Sequence, residues 1–376
     1  MSSALTIPQF TWDDYERDFA DRHLLHAVVS KWARERPDDI AIIEFDTGRQ
    51  FTYRQFDDRS TELALRLIEL GYRPGDFLAT ILPLTVEHIF LEYACFKIGV
   101  VHAPLDMRLK ADEVIRSLGL IQAKGVVMLG STPVVDFTPI AQTLHASCDY
   151  VEHLIQFTEP SSLVDGAIHS SALFDVTTTT RDDPALARRL REMTGKIAAS
   201  DGAQVIYTTG STGLPKPALL SHRNITAQNL CLAGGCDWLN IKRMLVNLPP
   251  SHVGCQGEEL MTTFFVGGTA VVLNRFDAEK SLQAIDQYKI ESIGQLPAMF
   301  QMQWQLPNFA DYDLSSLRSV MFGGQQVTRP FVQRLCEMAP LVATGLGMTE
   351  MAGFVTYTGL TKEVDPLVNG VGWPMP

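Results

Sequence analysis

The sequence has little patterned cysteine, no long apolar run and no cluster of positive charge. Its six cysteines show no CxxC spacing, which is typical of reduced, buried thiols in a cytoplasmic protein. No apolar segment reaches membrane-spanning length, and the N-terminus lacks the basic and apolar run of a signal peptide. The net charge of −12 is offset by no basic stripe, so we expect neither a nucleic-acid partner nor an anionic membrane.

Several catalytic signatures are absent as well. There is no HExxH motif and no metal-spaced pairing of cysteine with histidine. A GxSxG nucleophile elbow is missing too, because residues 209–213 read Thr-Gly-Ser-Thr-Gly. The Glu258-Glu259 pair is interpreted as a solvated helix start, since adjacent helical residues point to different faces.

What the chain does contain is a regular alternation of strand and helix patterns. With 376 residues and 46% hydrophobic content, it is long enough for two core-building units. Alternation at this spacing predicts βαβ units, an α/β fold and mostly parallel sheets. We expect one subdomain over residues 1–200, including a variable connection at 130–200, and a second over 201–376.

A loop rich in glycine and hydroxyl residues follows the predicted strand at 203–207 and ends at Lys216. Glycines allow backbone N–H groups to turn inward, hydroxyls add donors, and the lysine adds a charge that reaches phosphate oxygens. The loop is therefore predicted to bind polyphosphate. It is not a Walker A motif, because Pro217 follows the lysine and a second strand, not a helix, begins there.

Three further segments lie after predicted strands. Residues 249–254 place His252 after one strand, and residues 319–326 end a second strand in the pair Gly323-Gly324. Residues 344–350 read Thr-Gly-Leu-Gly-Met-Thr-Glu; this is no dinucleotide fingerprint, because Glu350 occupies the third glycine position. Taken singly, His252 is more often a structural histidine and the glycine pair a simple turn.

Together these motifs resemble the adenylate-forming superfamily of acyl-CoA synthetases, adenylation domains and luciferases. The similarity rests on three segments. The first is the phosphate loop with the Ser221-His222-Arg223-Asn224 that follows it, the second is residues 344–350, which are similar to GYGMTE, and the third is residues 370–376. It implies two packed, doubly wound α/β subdomains, as in the large N-terminal domain of that superfamily. The later TGD aspartate, the hinge and the small C-terminal domain are absent, so we expect a truncated chain that is inactive or impaired in the complete reaction. Pro217 and Leu346 depart from the usual glycine and tyrosine.

The resemblance also implies roles for individual residues. His252, Lys216, Thr349 and Glu350 are the expected catalytic residues, and Glu350 is the expected Mg²⁺ ligand. The residues expected to bind ATP or AMP are Thr208, Thr209, Gly210, Ser211, Thr212, Gly213, Lys216, Gly323, Gly324, Gln325, Gly345, Leu346, Gly347, Met348 and Thr349. The residues expected to line the acyl pocket are His252, Val253, Gly254, Cys255, Gln325 and Leu346.

The implied activity is a two-step ligation, in which a carboxylic acid and ATP form an acyl-adenylate and the acyl group is then transferred to CoA. The substrates and cofactors would be ATP, Mg²⁺, CoA and a hydrophobic fatty, alicyclic or aromatic acid. A plain acid is favoured because Val253 stands where amino-acid-activating members carry an aspartate. Two alternatives stay open, an adenylation domain that loads a carrier protein and a non-catalytic domain that binds nucleotide or acyl-adenylate. A homodimer is left open.

Overall fold

The computed structural model describes residues 10–133, 135–209 and 215–375. They form two compact units. Unit 1 comprises the chain up to Arg54 together with the chain from Arg223 onwards, and unit 2 comprises Gln55–His222. This division differs from the predicted boundary at residue 200, because the described residues up to Arg54 belong to the same unit as the C-terminal half, while the strands flanking the phosphate loop belong to unit 2.

Strands and helices alternate over much of the chain. The strands are β1 Ile40–Glu44, β2 Gln50–Thr52, β3 Phe77–Ile81, β4 Val101–Pro104, β5 Gly125–Leu129, β6 His153–Phe157, β7 Ile168–His169, β8 Gly202–Thr209, β9 Pro215–Ser221, β10 Arg243–Val246, β11 Thr269–Val272, β12 Ser292–Gln295, β13 Ser319–Phe322, β14 Leu341–Thr344, β15 Gly347–Met348, β16 Gly353–Phe354, β17 Thr356–Tyr357 and β18 Trp373–Pro374. The α-helices are α1 Trp12–Asp18, α2 Leu25–Glu35, α3 Tyr53–Glu69, α4 Val86–Ile98, α5 Ala111–Ile121, α6 Thr138–Ser147, α7 Ser171–Phe174, α8 Thr178–Arg181, α9 Pro184–Thr194, α10 His222–Gly235, α11 Thr262–Phe265, α12 Ala278–Tyr288, α13 Pro297–Trp304, α14 Arg329–Met338 and α15 Val364–Asn369. A π-helix covers Gly254–Met261, and short 3-10 helices cover Ala20–Arg22, Pro160–Ser162, Trp238–Asn240, Phe309–Asp311 and Thr349–Met351.

Unit 1 is built on a seven-stranded sheet in the order β14-β13-β12-β10-β11-β1-β2. All neighbouring strands are parallel except β2, which pairs antiparallel with β1 at the edge. The parallel register Ile42↔Ala270 joins β1 to β11, and this pairing is why the N-terminal segment belongs to unit 1. Apolar strand residues such as Leu245, Ile293 and Val320 are fully buried in its core.

Unit 2 repeats this plan with the order β7-β6-β5-β3-β4-β8-β9. Here β9 is the antiparallel edge strand, paired with β8, and the other neighbours are parallel. The predicted α/β class with mostly parallel sheets is therefore confirmed. Among the described residues, no helix is both long and apolar enough to cross a membrane.

Local sequence signals account for several helix starts. The Asp277 carboxylate accepts a hydrogen bond from the backbone N–H of Lys280 at 2.9 Å and so caps α12. Thr85 caps α4 in the same way through the N–H of His88. In unit 1 the parallel strands β10, β12 and β13 end side by side, so the segments that follow them meet at one edge of the sheet.

Candidate active site

The predicted phosphate loop connects β8 to β9 in unit 2. Gly210, Ser211, Thr212 and Gly213 lie outside the described residues. The register pairs Thr208 with Lys216, and Thr209 with Pro215. Because directly opposed residues in antiparallel strands project to the same face, Thr208 and Lys216 are neighbours at the base of the loop. Lys216 is exposed and Thr208 is half-buried, so the lysine charge faces solvent.

Most of the remaining predicted residues surround two cavities of unit 1. The first, which we call the Glu259 cavity, has a volume of about 190 Å³. It lies where the segments after β10, β12 and β13 meet the β15–β16 hairpin. Its lining consists of Trp238, Leu248, His252, Val253, Gly254, Glu258, Glu259, Gly294, Gln295, Leu296, Met321, Phe322, Gly323, Gly324, Gly347, Met348, Thr349, Gly353 and Phe354.

His252 lies at the rim of this cavity and is exposed to solvent. The backbone N–H of Gly254 donates to His252 Nδ1 at 3.0 Å, which requires a lone pair on Nδ1. Surrounding protein atoms also disfavour the charged ring by desolvation, which lowers the pKa of His252 below its usual value. At neutral pH the ring is therefore neutral and can present its Nε2–H as a donor.

The structure corrects the interpretation of Glu258-Glu259 as a solvated helix start. Both residues line the Glu259 cavity, and Glu259 is only 2% exposed. Burial raises the pKa of Glu258 to about 7 and that of Glu259 well above its usual value. The physical reason is the π-helix Gly254–Met261: its i→i+5 winding is wider than that of an α-helix, so consecutive side chains diverge less.

Two glycines provide the space for these carboxyl groups. A Cβ atom at Gly294 would lie 3.0 Å from Glu259 Oε1, and one at Gly353 would lie 2.5 Å from Glu258 Oε1. Gly353 also has a φ of +136°, which side chains of L-residues rarely adopt. Any larger residue at Gly353 would therefore displace the Glu258 carboxyl group from the cavity wall.

The buried end of the cavity has polar atoms without partners. Among the described residues, neither carboxylate oxygen of Glu259 and neither amide atom of Gln295 makes a hydrogen bond. Gln295, at the end of β12, is 3% exposed. Backbone N–H groups of Asn247 and Gly294 approach the Glu259 carboxyl and favour its ionised form, but burial outweighs them. Native proteins rarely leave such groups unsatisfied.

The second cavity, which we call the Leu346 cavity, has a volume of about 580 Å³. It is lined by the ends of β13 and β14 and the segments that follow them, and by the end of α15 with the loop after it. Leu346 is 49% exposed on its wall, so an apolar side chain stands at this surface. Gly345 has no room for a side chain, because a Cβ atom would lie 1.9 Å from the carbonyl oxygen of Thr356. The lining consists of Phe322, Gly324, Gln325, Gln326, Val327, Thr344, Gly345, Leu346, Gly347, Leu367, Val368, Asn369, Gly370 and Val371.

Thr349 and Glu350 follow the short strand β15 in the 3-10 helix Thr349–Met351. Thr349 is half-buried on the wall of the Glu259 cavity, whereas Glu350 is exposed and lines neither cavity. Within the described ranges, no three His, Cys, Asp or Glu side chains are grouped to hold a metal ion. An Mg²⁺ ion at Glu350 would therefore take most of its ligands from phosphate and water, which this hard cation commonly does.

The six residues expected in the acyl pocket are distributed over three places. His252, Val253 and Gly254 line the Glu259 cavity, Gln325 and Leu346 line the Leu346 cavity, and Cys255 is buried and lines neither. Gly323, Met348 and Thr349, expected at the nucleotide, line the Glu259 cavity, and Gly345 lines the Leu346 cavity. Gly324 and Gly347 line both.

Sequence reasoning missed most of the buried end of the Glu259 cavity. Gly294, Gln295 and Leu296 directly follow or end β12, so the rule that ligands bind beyond the carboxyl ends of parallel strands would have found them. Trp238 and Phe354 carried no such signal, since both come from short connecting elements.

Comparison with known proteins shows the family to which the chain belongs. Residues 29–376 match the model of the AMP-binding enzyme family, and the chain belongs to that family. It is 28% identical over 305 residues to a feruloyl-CoA synthase of an Amycolatopsis species, a match that covers 81% of this chain and 55% of that protein. It is 27% identical over 316 residues to the long-chain-fatty-acid–CoA ligase FadD13 of Mycobacterium tuberculosis, covering 83% of this chain and 58% of that protein. The chain thus spans little more than half the length of these relatives.

A solved structure shows the same fold. The N-terminal domain of FACL13 from Mycobacterium tuberculosis, determined with an inhibitor bound, superposes with a TM-score of 0.77 at 24% identity. The match covers 94% of this chain and 82% of that one. The expected fold, that of the large N-terminal domain of adenylate-forming enzymes, is therefore confirmed.

Proposed function

We propose that this chain carries the acid-activating site of an AMP-forming acid–thiol ligase, which converts a carboxylic acid and Mg·ATP to an acyl-adenylate and then transfers the acyl group to CoA. The observation that carries the proposal is the Glu259 cavity itself. Its rim has a neutral imidazole and a threonine hydroxyl, His252 and Thr349, and its walls are largely apolar. Such a pocket suits an acid whose carboxylate is at the rim and whose body lies inside.

The reaction requires the positioning of two anions more than covalent chemistry by the protein. The carboxylate oxygen attacks the α-phosphorus, the bond from that phosphorus to the bridging oxygen breaks, and pyrophosphate leaves. The Nε2–H of His252 would donate to the carboxylate and orient it. Thr349 would donate to an α-phosphate oxygen, where negative charge increases in the transition state.

The phosphate loop would bind the β- and γ-phosphates through its backbone donors, through Thr208, Thr209, Ser211 and Thr212, and through the Lys216 ammonium group. Glu350 is exposed and forms no ion pair with any described residue, so its carboxylate is available to an Mg²⁺ ion that also binds phosphate oxygens. When bound, that ion would neutralise part of the charge on the triphosphate. The Leu346 cavity would receive the adenosine, against Gly324, Gln325 and Leu346.

Calorimetry of this chain with Mg·ATP and with a non-hydrolysable acyl-sulfamoyl adenosine tests the proposal. We expect the mimic to bind, and Thr349→Ala and Lys216→Ala each to weaken its binding or that of ATP by about tenfold or more, since each removes a donor to a phosphate-like group. Glu337→Gln, which changes an exposed carboxylate outside both cavities, should leave binding unchanged. Equal binding by all four proteins, or none by the folded chain, would contradict the proposal.

A separate experiment tests whether CoA or a carrier protein accepts the acyl group. With acid and ATP supplied, release of the acyl group as a thioester on CoA supports the ligase, and loading of a phosphopantetheine-bearing carrier protein in place of CoA would support the carrier-loading alternative. Acid-dependent formation of AMP in either case excludes the non-catalytic domain.

A further inference from the structure

We propose that the acid activated here carries a hydrogen-bond-donating group, a hydroxyl or an amine, at the end remote from its carboxylate, and that Glu259, Glu258 and Gln295 bind this group. The inference rests on the proposed function, because it specifies the acid for the same cavity. It replaces the expectation of a purely hydrophobic acid. The structure supplies three independent observations for it: the direction of the cavity, its unsatisfied polar atoms and its size.

The exposure of the lining residues gives the cavity a direction. His252 and Met348 are exposed and Thr349 is half-buried, so these residues form the rim. Glu259 and Gln295, by contrast, are almost fully buried. A carboxylate bound at His252 and Thr349 would therefore direct the rest of the acid towards Glu259 and Gln295.

The buried end has hydrogen-bonding capacity that the protein does not use. Glu259 and Gln295 have four side-chain oxygen and nitrogen atoms without partners among the described residues, and both residues line the cavity. An occupant with a donor would satisfy them, whereas a hydrocarbon end would leave them desolvated and unpaired. The cavity would therefore bind an acid that lacks the donor more weakly than one that carries it.

The charge state of the carboxyl groups fits a neutral donor as well as a cation. Burial raises the pKa of Glu258 to about 7 and that of Glu259 well above its usual value, so both carboxyl groups resist ionisation when the cavity is empty. A protonated carboxyl group both accepts from and donates to a hydroxyl. A bound cation would instead favour loss of the proton, because an opposite charge stabilises the carboxylate.

The size and walls of the cavity restrict the body of the acid. Its volume of about 190 Å³ is close to that of an engineered cavity of about 150 Å³ that binds benzene, so one aromatic ring or a compact chain fits. Trp238 donates its indole N–H to Ser292 Oγ at 3.1 Å and therefore offers the cavity only its apolar surface. Val253, Met321 and Phe322 complete a buried apolar wall around the ring.

The test uses acyl-sulfamoyl adenosines of benzoic and 3-phenylpropenoic acids, each in the unsubstituted, 4-methyl, 4-hydroxy and 4-aminomethyl forms. The methyl group matches the hydroxyl in size and lacks its donor. We expect the 4-hydroxy or 4-aminomethyl mimic of at least one acid to bind about tenfold or more tighter than its 4-methyl counterpart, because buried polar groups penalise an unpaired ligand. Calorimetry with this chain measures the ratio directly.

Matched variants assign the preference to the buried residues. Glu259→Met keeps the volume and removes both oxygens, so the preference should disappear, whereas Glu259→Gln keeps a hydrogen-bonding group and should retain most of it. Gln295→Met provides the same test at a second position should Glu259→Met fail to fold. Glu337→Gln serves as the surface control.

Each result decides one of the two proposals. Equal binding of the 4-methyl mimic and both donor-bearing mimics of each acid would overturn the inference and leave the proposed function standing, since the adenylate mimic still binds. A preference that survives in both Glu259→Met and Gln295→Met would also overturn it. If no mimic binds the folded chain, the proposed function fails and the inference fails with it.

Discussion

Two buried glutamates, Glu92 in unit 2 and Glu259 in unit 1, have opposite surroundings. In unit 2, Glu92 Oε1 lies 3.1 Å from His102 Nδ1 and accepts a hydrogen bond from Gln204 Nε2 at 2.6 Å. Thr80 Oγ1 lies 3.0 Å from His102 Nε2 and so extends this network. In unit 1, Glu259 and Gln295 are almost as deeply buried, yet their side chains make no hydrogen bond among the described residues and border a cavity.

This difference in hydrogen bonding indicates a structural role for Glu92 and supports the proposed binding role of Glu259. Every member of the Glu92 network has at least one partner, which is what a polar group needs if it is to be buried for the sake of the fold. The residues of this network line neither the Glu259 cavity nor the Leu346 cavity. The Glu259 carboxyl group makes no hydrogen bond among the described residues, although the backbone N–H groups of Asn247 and Gly294 approach it. Its burial at the end of a cavity is therefore a net cost to stability, which the proposed occupant would offset. This loss of stability at a functional site is the expected cost of a preformed binding pocket.

The largest effect is expected from disrupting the hydrogen bonds of the Glu92 network. Glu92→Leu leaves His102 Nδ1 and Gln204 Nε2 without their partner in a fully buried place, so the free energy of unfolding should fall by about 3 kcal/mol. Urea unfolding measures the loss. A change smaller than about 0.5 kcal/mol would show that hydrogen bonding does not distinguish the two glutamates.

A second effect is expected from pH, and its sign differs between the buried histidines and the buried carboxyl groups. Burial lowers the pKa of His88 to about 4 and that of His102 to about 3. Between these values and about pH 6.5, both histidines are therefore protonated in the unfolded chain and neutral in the folded chain. The stability that depends on these neutral histidines is complete above about pH 6.5 and is lost as the pH falls towards 4. Acid destabilisation should therefore originate in unit 2, and urea unfolding at a series of acid pH values measures it.

Glu258 has the opposite sign, since its pKa is raised to about 7. Its contribution is complete below the unfolded value of 4.5 and is lost as the pH rises through 7. Glu258→Gln cannot ionise, so we expect it to be more stable than the original chain by about 1–2 kcal/mol at about pH 8 and nearly equal at about pH 4. Thermal unfolding from about pH 4 to about pH 8 measures the stability of both proteins. If Glu258→Gln loses as much stability as the original chain when the pH rises to about 8, ionisation of Glu258 is not the cause of that loss.

The local features of the fold could be predicted from the sequence, and its long-range strand pairing could not. The alternation of strands and helices, the Asp277 cap and the position of each motif after a strand were predictable, because they depend on local patterns and on the general geometry of parallel sheets. The pairing of β1 with β11 was not, since the register Ile42↔Ala270 joins residues far apart in the chain. Local propensity contains no information about such a contact.

The candidate site was predictable to a similar extent. His252, Thr349 and the glycine turns were found because they belong to recognisable motifs. Glu258 and Glu259 were assigned to solvent because an α-helix was assumed, and the segment forms a π-helix that turns both side chains to one cavity. Cys255 was expected in the acyl pocket from the family resemblance, but it is fully buried and lines neither cavity.

The smallest stability effect is expected at Glu259, and it separates folding from binding most sharply. Glu259→Met replaces two unsatisfied oxygens by an apolar side chain of similar volume, so the free energy of unfolding should rise by about 1 kcal/mol. The same substitution should abolish the preference for donor-bearing acids. Glu92→Leu should do the reverse, destabilising the chain without changing the ratio of the two affinities. A destabilised Glu259→Met would mean that Glu259 has a structural partner after all, and the contrast between the two glutamates would no longer indicate which of them binds a ligand.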